Sequence, residues 1–126
     1  MLSKILVADD DRNMRELMAL HLRSAGYEVR TAEDGIEAGY AVLKQRPDLI
    51  LCDVNMPHMD GFQLVSAMRQ DPELQTLPVI FLTTGTELEQ RVRKLGAIGY
   101  VYKPIRADRL LRLLAEKFRA GLVASH

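Results

Sequence analysis

The sequence predicts an α/β fold built on a parallel sheet, and three observations predict it. Short apolar runs of β character alternate with longer segments of helical period along the 126-residue chain, the order expected of strands joined by helical crossovers. The run Leu49-Ile50-Leu51-Cys52 is apolar at every position, as a central strand buried on both faces must be. Four runs also end in chemically active side chains. Ile5-Leu6-Val7-Ala8 leads into Asp9 and Asp10, Leu49 to Cys52 into Asp53, Val79-Ile80-Phe81-Leu82 into Thr83, and Gly99-Tyr100-Val101-Tyr102 into Lys103. Ligands of an open parallel sheet bind outside the carboxyl ends of its strands. Residues far apart in the chain are therefore expected to gather at one edge.

The elements follow in order. Lys4–Ala8 is the first strand. A helix from about Arg12 to Ala25 carries an apolar stripe of Met14, Leu17, Met18, Leu20, Leu22 and Ala25. Asp11 caps its start and Gly26 ends it in a left-handed turn. Tyr27, Val29 and Thr31 alternate with Glu28 and Arg30, which suits a half-exposed edge strand. Ile36, Tyr40 and Leu43, with Ala38 and Ala41 between them, mark a second helix ending before Pro47. After the central strand comes a loop from Asn55 to Gly61, then a third helix over Phe62–Arg69. Asp60 and Gly61 serve the turn into it. Asp71-Pro72 opens the connection to the fourth strand, which Pro78 begins. Thr86 to Leu95 reads as a short polar helix stopped by Gly96, and Gly99–Lys103 as the last strand, followed by Pro104. The closing helix, about Ala107 to Phe118, carries Leu110, Leu111, Leu113, Leu114 and Phe118. Five strands and five helices are expected to make a single domain over 1–126, with no room for an output domain within those residues.

Composition narrows the function. At 48% hydrophobic and 27% charged residues the chain matches globular proteins rather than disordered or fibrous ones. Seventeen basic residues balance seventeen acidic ones, which argues against nucleic acid as a direct ligand. No apolar run approaches the length of a bilayer span. Three aspartates by Asp11 leave no signal-peptide core. The single cysteine, Cys52, cannot form an internal disulfide, which fits a reducing compartment. The expectation is a cytoplasmic protein with no membrane partner.

Three carboxylates, a hydroxyl and an ammonium at one sheet edge suit a divalent metal and a phosphoryl group. Asp9 and Asp10 would point to opposite faces of a regular strand. At a strand-to-loop junction both can reach one ion, directly or through water. Mg²⁺ takes oxygen ligands, usually one or two carboxylates with waters and phosphate oxygens, and it relieves the repulsion of clustered aspartates. A carboxylate is also a competent nucleophile for phosphoryl transfer. Asp53 is the favoured nucleophile because it follows the fully apolar strand and opens a turn-rich loop. Lys103 neutralises charge on the phosphoryl oxygens and Thr83 donates to one of them. Bland readings hold elsewhere: Asp11 is a cap, Cys52 a small buried hydrophobe, and His58 a surface residue. His21 and His126 show no partner pattern.

Four motifs together carry a resemblance: Ile5-Leu6-Val7-Ala8-Asp9-Asp10-Asp11, Asp53-Val54-Asn55-Met56-Pro57-His58-Met59-Asp60-Gly61, Leu82-Thr83-Thr84, and Tyr100-Val101-Tyr102-Lys103-Pro104. In this order and spacing the chain resembles the receiver domain of two-component response regulators over essentially its whole length. The resemblance implies a flavodoxin-like, doubly wound sheet of order 2-1-3-4-5 with helices on both faces. It implies a phosphoryl group received on Asp53 from a histidine kinase or a histidine phosphotransfer protein, and a change of conformation that controls a partner or output domain. Catalysis would be limited to the chain's own phosphorylation and dephosphorylation. Asp9 and Asp10 match the metal-holding pair and Asn55 the residue that offers its backbone carbonyl, with Mg²⁺ as the ion and Mn²⁺ as a substitute. Thr83 matches the switch hydroxyl, Lys103 the phosphoryl-binding lysine and Tyr100 the switch aromatic, which can also pack in the core. The Lys103–Pro104 bond is expected to be cis.

Two places depart from that pattern. Thr84 stands where receivers usually keep alanine or glycine, and is expected to narrow entry to the phosphoryl pocket. The segment from Thr83 to Lys103 is a couple of residues short near Leu95-Gly96-Ala97. Homodimerisation on phosphorylation is open to the family, but the shortened fourth helix transfers no particular dimer mode. A Mg²⁺-dependent phosphohydrolase of the haloacid dehalogenase type competes weakly, because its second, acid/base aspartate is Asn55 here. A purely protein-binding receiver relative would be expected to lack an acidic-pair member, the acceptor or the lysine; all are present.

Overall fold

Five strands pair in parallel in the computed structural model, which describes residues 3–85 and 89–124. The elements run β1 (Lys4–Ala8), α1 (Arg12–Ser24), β2 (Glu28–Ala32), α2 (Gly35–Lys44), β3 (Leu49–Asp53), α3 (Gly61–Arg69), β4 (Val79–Thr83), α4 (Glu89–Lys94), β5 (Gly99–Tyr102) and α5 (Ala107–Arg119). The sheet order is β2-β1-β3-β4-β5. This is the flavodoxin-like doubly wound architecture that the resemblance implied.

Alternation along each strand divides the core in two. Leu6, Ala8, Ile50, Cys52 and Phe81 face one layer with Val42 of α2, Leu64 and Met68 of α3 and Val92 of α4. Ile5, Val7, Leu51, Ile80 and Leu82 face the other with Met18 and Leu22 of α1 and Leu110 and Leu114 of α5. Every residue of β3 and β4 is buried, as the continuous apolar runs required.

Local signals in the sequence set the element ends. Asp11 accepts from Met14 N (3.2 Å) and Asp34 from Glu37 N (2.8 Å). Asp60 accepts from Gln63 N at 2.8 Å while Gln63 Oε1 accepts from Asp60 N at 3.0 Å, a reciprocal capping box at the start of α3. Gly26 (φ 100°) and Gly96 (φ 69°) take the left-handed turns that end α1 and α4. Replacing Asp60 with alanine leaves the Gln63 amide without its side-chain acceptor. The expected loss is about 1 kcal/mol, read as a lower urea midpoint at unchanged slope; an unchanged midpoint would show that the cap contributes nothing.

Two expected apolar stripes are corrected. In α1 the core side is Met18, Ala19 and Leu22, while Leu17, Leu20 and Ala25 are exposed. In α2 the buried residues are Gly35, Ala38 and Val42, and Ile36, Tyr40 and Leu43 stand outside. Close approach explains the second case. A Cβ on Gly35 would collide with the Met59 carbonyl, and one on Gly39 would lie 3.7 Å from Leu64 Cδ1. The small-residue face of α2 is therefore the one that can seat against the core. In β2 the alternation also fails at its end: Thr31 is exposed and Ala32 buried. Val29 belongs to the α1/α5 layer, whereas Ala32 faces the α2/α3 layer.

The start of the fourth helix expected from Thr86 lies outside the described residues, as does His126; the described α4 begins at Glu89. The last strand ends at Tyr102 rather than Lys103, although Lys103 N still donates to Thr83 O at 2.7 Å. The Lys103–Pro104 bond is cis. Arg69, at the end of α3, donates to three carbonyls: Nε to Leu95 O (2.8 Å), and Nη1 to Leu74 O (3.2 Å) and Leu77 O (2.9 Å). Arg91 of α4 lies over the Phe62 ring, 4.7 Å from its centroid.

Candidate functional site

Parallel register brings the strand ends to one level. Ala8 pairs with Cys52, Asp53 with Leu82, and Thr83 with Tyr102, so the residues after each run meet at a single edge. Asp53 is only 2% exposed and Asp9 is fully buried, while Asp10, one residue further along the chain, is exposed. Even so, one carboxylate oxygen from each of Asp9, Asp10 and Asp53 lies within 4.8 Å of the others. The acidic pair thus reaches a common point despite its adjacency, because it stands where the strand gives way to the loop.

Each Asp53 oxygen has a donor. Lys103 Nζ donates to Oδ2 at 2.8 Å, and Asn55 N donates to Oδ1 at 3.2 Å. Asp9 Oδ1 accepts from Asp11 N at 2.9 Å. Asp9 Oδ2 sits 3.5 Å from Lys103 Nζ but accepts no hydrogen bond, and is a buried polar side-chain atom without a partner among the described residues. Buried carboxylate oxygens are ordinarily satisfied. An orphaned oxygen beside two further carboxylates is a hard-oxygen donor set of the kind Mg²⁺ takes. The residues present fit such an ion.

The electrostatics follow from burial. Asp53 is pushed up to about 6, first by burial and then by the charge of Asp9, with the Lys103 hydrogen bond opposing. Burial pulls the Lys103 ammonium down, but its hydrogen bond to Asp53 and the charges of Asp53 and Asp9 outweigh that and hold it above the ordinary lysine range. Burial, then Asp53, pushes the Cys52 thiol far up; it is an inert packed side chain rather than a nucleophile.

Thr83 is buried and its Oγ1 accepts from Gly85 N at 3.0 Å, leaving the hydroxyl hydrogen to donate elsewhere. Thr84 is exposed. Tyr100 is half-buried; its hydroxyl donates to Glu89 Oε1 at 3.1 Å, and its ring meets Tyr102 edge-on at 5.4 Å. It therefore points at the first turn of α4 rather than into the carboxylate cluster.

Three supports escaped the sequence reading. Arg15 Nη1 donates to the Asp9 carbonyl at 2.8 Å, tying the first turns of α1 to the acidic pair. Gly61 packs so tightly that a Cβ there would overlap the Asp53 carbonyl. His58 takes φ 69°, a left-handed conformation uncommon outside glycine. Of these, only the glycine at the end of the loop carried a visible signal.

A model of the response regulator receiver domain matches residues 5–115. The dual master transcriptional regulator RpaA of Synechocystis is 33% identical over 110 residues, 86% of this chain and 46% of that protein. The sensor histidine kinase RcsC of Escherichia coli is 41% identical over 120 residues, 91% of this chain but 12% of that protein. Among solved structures, the chemotaxis response regulator CheY4 of Vibrio cholerae superposes with a TM-score of 0.87 at 40% identity, covering 92% of this chain and 98% of that one. The chain spans about half the length, or less, of such curated relatives.

Proposed function

Because the chain belongs to the response regulator receiver family, we propose that it is a phosphoacceptor signalling module with Asp53 as the acceptor. The single observation that carries this reading is the Asp53 carboxylate: buried at the end of the central strand, bonded to Lys103 Nζ at 2.8 Å, and adjacent to a carboxylate oxygen that lacks a partner. In the proposed reaction an Asp53 oxygen forms a new O–P bond to a phosphohistidine of a kinase or phosphotransfer protein. The N–P bond breaks and the imidazole keeps the electron pair. Asp9, Asp10 and Asp53, with the Asn55 backbone carbonyl, would hold Mg²⁺ (or Mn²⁺), which supplies neutralising charge when bound.

The chain's own groups position and stabilise. Lys103, already on Asp53, stays beside the added phosphoryl oxygens, and the Thr83 hydroxyl donates to one of them. Thr84 sits at the rim and narrows the approach. Thr83 Oγ1 accepts from Gly85 N, so its hydroxyl hydrogen is free to aim at the phosphoryl group as the side chain moves towards it. Tyr100 would then leave Glu89 and turn inward, which is the proposed link from the site to the surface of α4, β5 and α5. The downstream partner is an output domain or a separate protein, and the compartment is the cytoplasm.

The test uses a small donor. With acetyl phosphate and Mg²⁺ the chain should gain the mass of one phosphoryl group, and with EDTA it should gain none. Uptake that ignores EDTA would defeat the proposed metal dependence; no uptake with acetyl phosphate, and no response to beryllofluoride, would favour the protein-binding relative.

A further inference from the structure

Helix α2 turns its large apolar residues away from the core. Ile36, Tyr40 and Leu43 are 47, 73 and 67% exposed, and their i, i+4, i+7 spacing makes one continuous ridge. Beside the ridge a groove of about 290 Å³ runs between α2 and α3, with Gly39, Met59, Leu64, Met68 and Leu74 among its lining residues. Contiguous apolar surface of this kind marks an interaction site more often than bare surface. An exposed apolar ridge that also walls this groove can pack against a copy of itself, the requirement for a two-fold contact between identical chains.

Charge supplies the second argument. Glu37 and Lys44 are seven residues apart and lie on one flank of the ridge. Both are exposed, and neither takes part in an ion pair among the described residues. If two copies of α2 run antiparallel about an axis between Tyr40 and Ala41, each Glu37 falls opposite the second copy's Lys44. Two opposite-charge pairs then flank one apolar seam, the arrangement by which flanking charges set partner and orientation in paired helices. A parallel pairing would put like charges together.

We infer that this face binds a second copy of the chain: an isologous, antiparallel contact in which the Ile36–Tyr40–Leu43 ridges of the two copies pack against each other, with the Glu37–Lys44 pairs along the flank away from the groove. The contact does not depend on phosphoryl transfer, so its test is run in EDTA without a donor.

Sedimentation equilibrium of the whole chain over a wide concentration range should show a mass that rises from one copy towards two. Leu43→Glu places a charge on the seam at an exposed position and should weaken association at least about tenfold, as for loss of a central anchor. Far-UV circular dichroism would check that it remains folded. The charge arm is more specific. Glu37→Lys alone and Lys44→Glu alone should each weaken self-association, because each homodimer then holds two like-charge pairs. An equimolar mixture of the two variants should recover dimer, since the mixed pair restores opposite charges at both places. A chain that stays monomeric at every concentration overturns the inference, whether or not the face captures some other protein. So does a mixture that associates no better than its components.

Discussion

Asp53→Asn is expected to abolish phosphoryl uptake from acetyl phosphate and, in EDTA, to stabilise the folded chain. Both effects have one origin, a carboxylate held where its charge is poorly solvated. Folding raises Asp53 from an ordinary value of 3.8 to about 6, so the folded state binds the proton more tightly than the unfolded one. Its favourable contribution is therefore complete below about pH 4 and is lost as pH rises through about 6. Asparagine has the same shape and no charge to lose. The stability gap between Asp53→Asn and the parent should open between pH 4 and pH 7 in the metal-free protein, and Mg²⁺ should close or reverse it by favouring the parent. Denaturation midpoints for both proteins across that range provide the measurement. Parallel pH profiles would mean that the burial of Asp53 carries no such penalty.

Gly61→Ala should be severely damaging for the addition of a single methyl. The added Cβ would overlap the Asp53 carbonyl oxygen and lie 3.1 Å from Cys52 Sγ. A flexible side chain could swing aside, but a backbone carbonyl at the end of a central strand cannot. Gly61 N is also bonded to Val54 O at 2.9 Å, which holds the two segments together from the other side. The start of α3 must then lift away from β3, at a cost of about 3 kcal/mol or more, the upper range for overpacking. Because the displaced atoms belong to Asp53 itself, phosphoryl uptake should fall by more than about tenfold even in protein that folds, since reacting groups tolerate little misplacement. Gly39→Ala is the control. Its Cβ would meet only Leu64 Cδ1 at 3.7 Å, and removing a mid-helix glycine should raise stability by about 0.5–1 kcal/mol. If Gly61→Ala behaves like Gly39→Ala, the close approach has no consequence.

The contrast between these glycines explains what was readable in the chain and what was not. Asp9, Asp53, Thr83 and Lys103 were legible because each follows an apolar run, and a parallel sheet brings the ends of such runs together whatever lies between them. The order of the strands came from the likeness of four motifs to receivers, since pairing leaves no mark on a single sequence. The buried sides of α1 and α2 were misread for a physical reason. Helical period says which residues share a face, not which face lies on the sheet. In α2 the small residues at 35, 38 and 39 admit close approach, and the larger Ile36, Tyr40 and Leu43 were displaced to the surface. Arg15 on the Asp9 carbonyl and Arg69 on three loop carbonyls went unseen because backbone oxygens are present at every residue. Nothing in the pattern says which of them a guanidinium will find.

Arg69 has a mechanical consequence for α4. Its guanidinium holds the Leu95 carbonyl just past the helix's last turn, and the same group grips Leu74 and Leu77 in the segment that leads into β4. The far end of α4 is thereby clamped to the body. Among the described residues, the near end is propped by two side-chain contacts, Tyr100 on Glu89 and Arg91 over Phe62, with Val92 packed in the core between the two ends. A rod pinned at one end and lightly propped at the other does not slide; it pivots. Any motion begun near Thr83 would thus reach the surface as a swing of the Glu89 end about Leu95, largest at Glu89 and vanishing six residues further on.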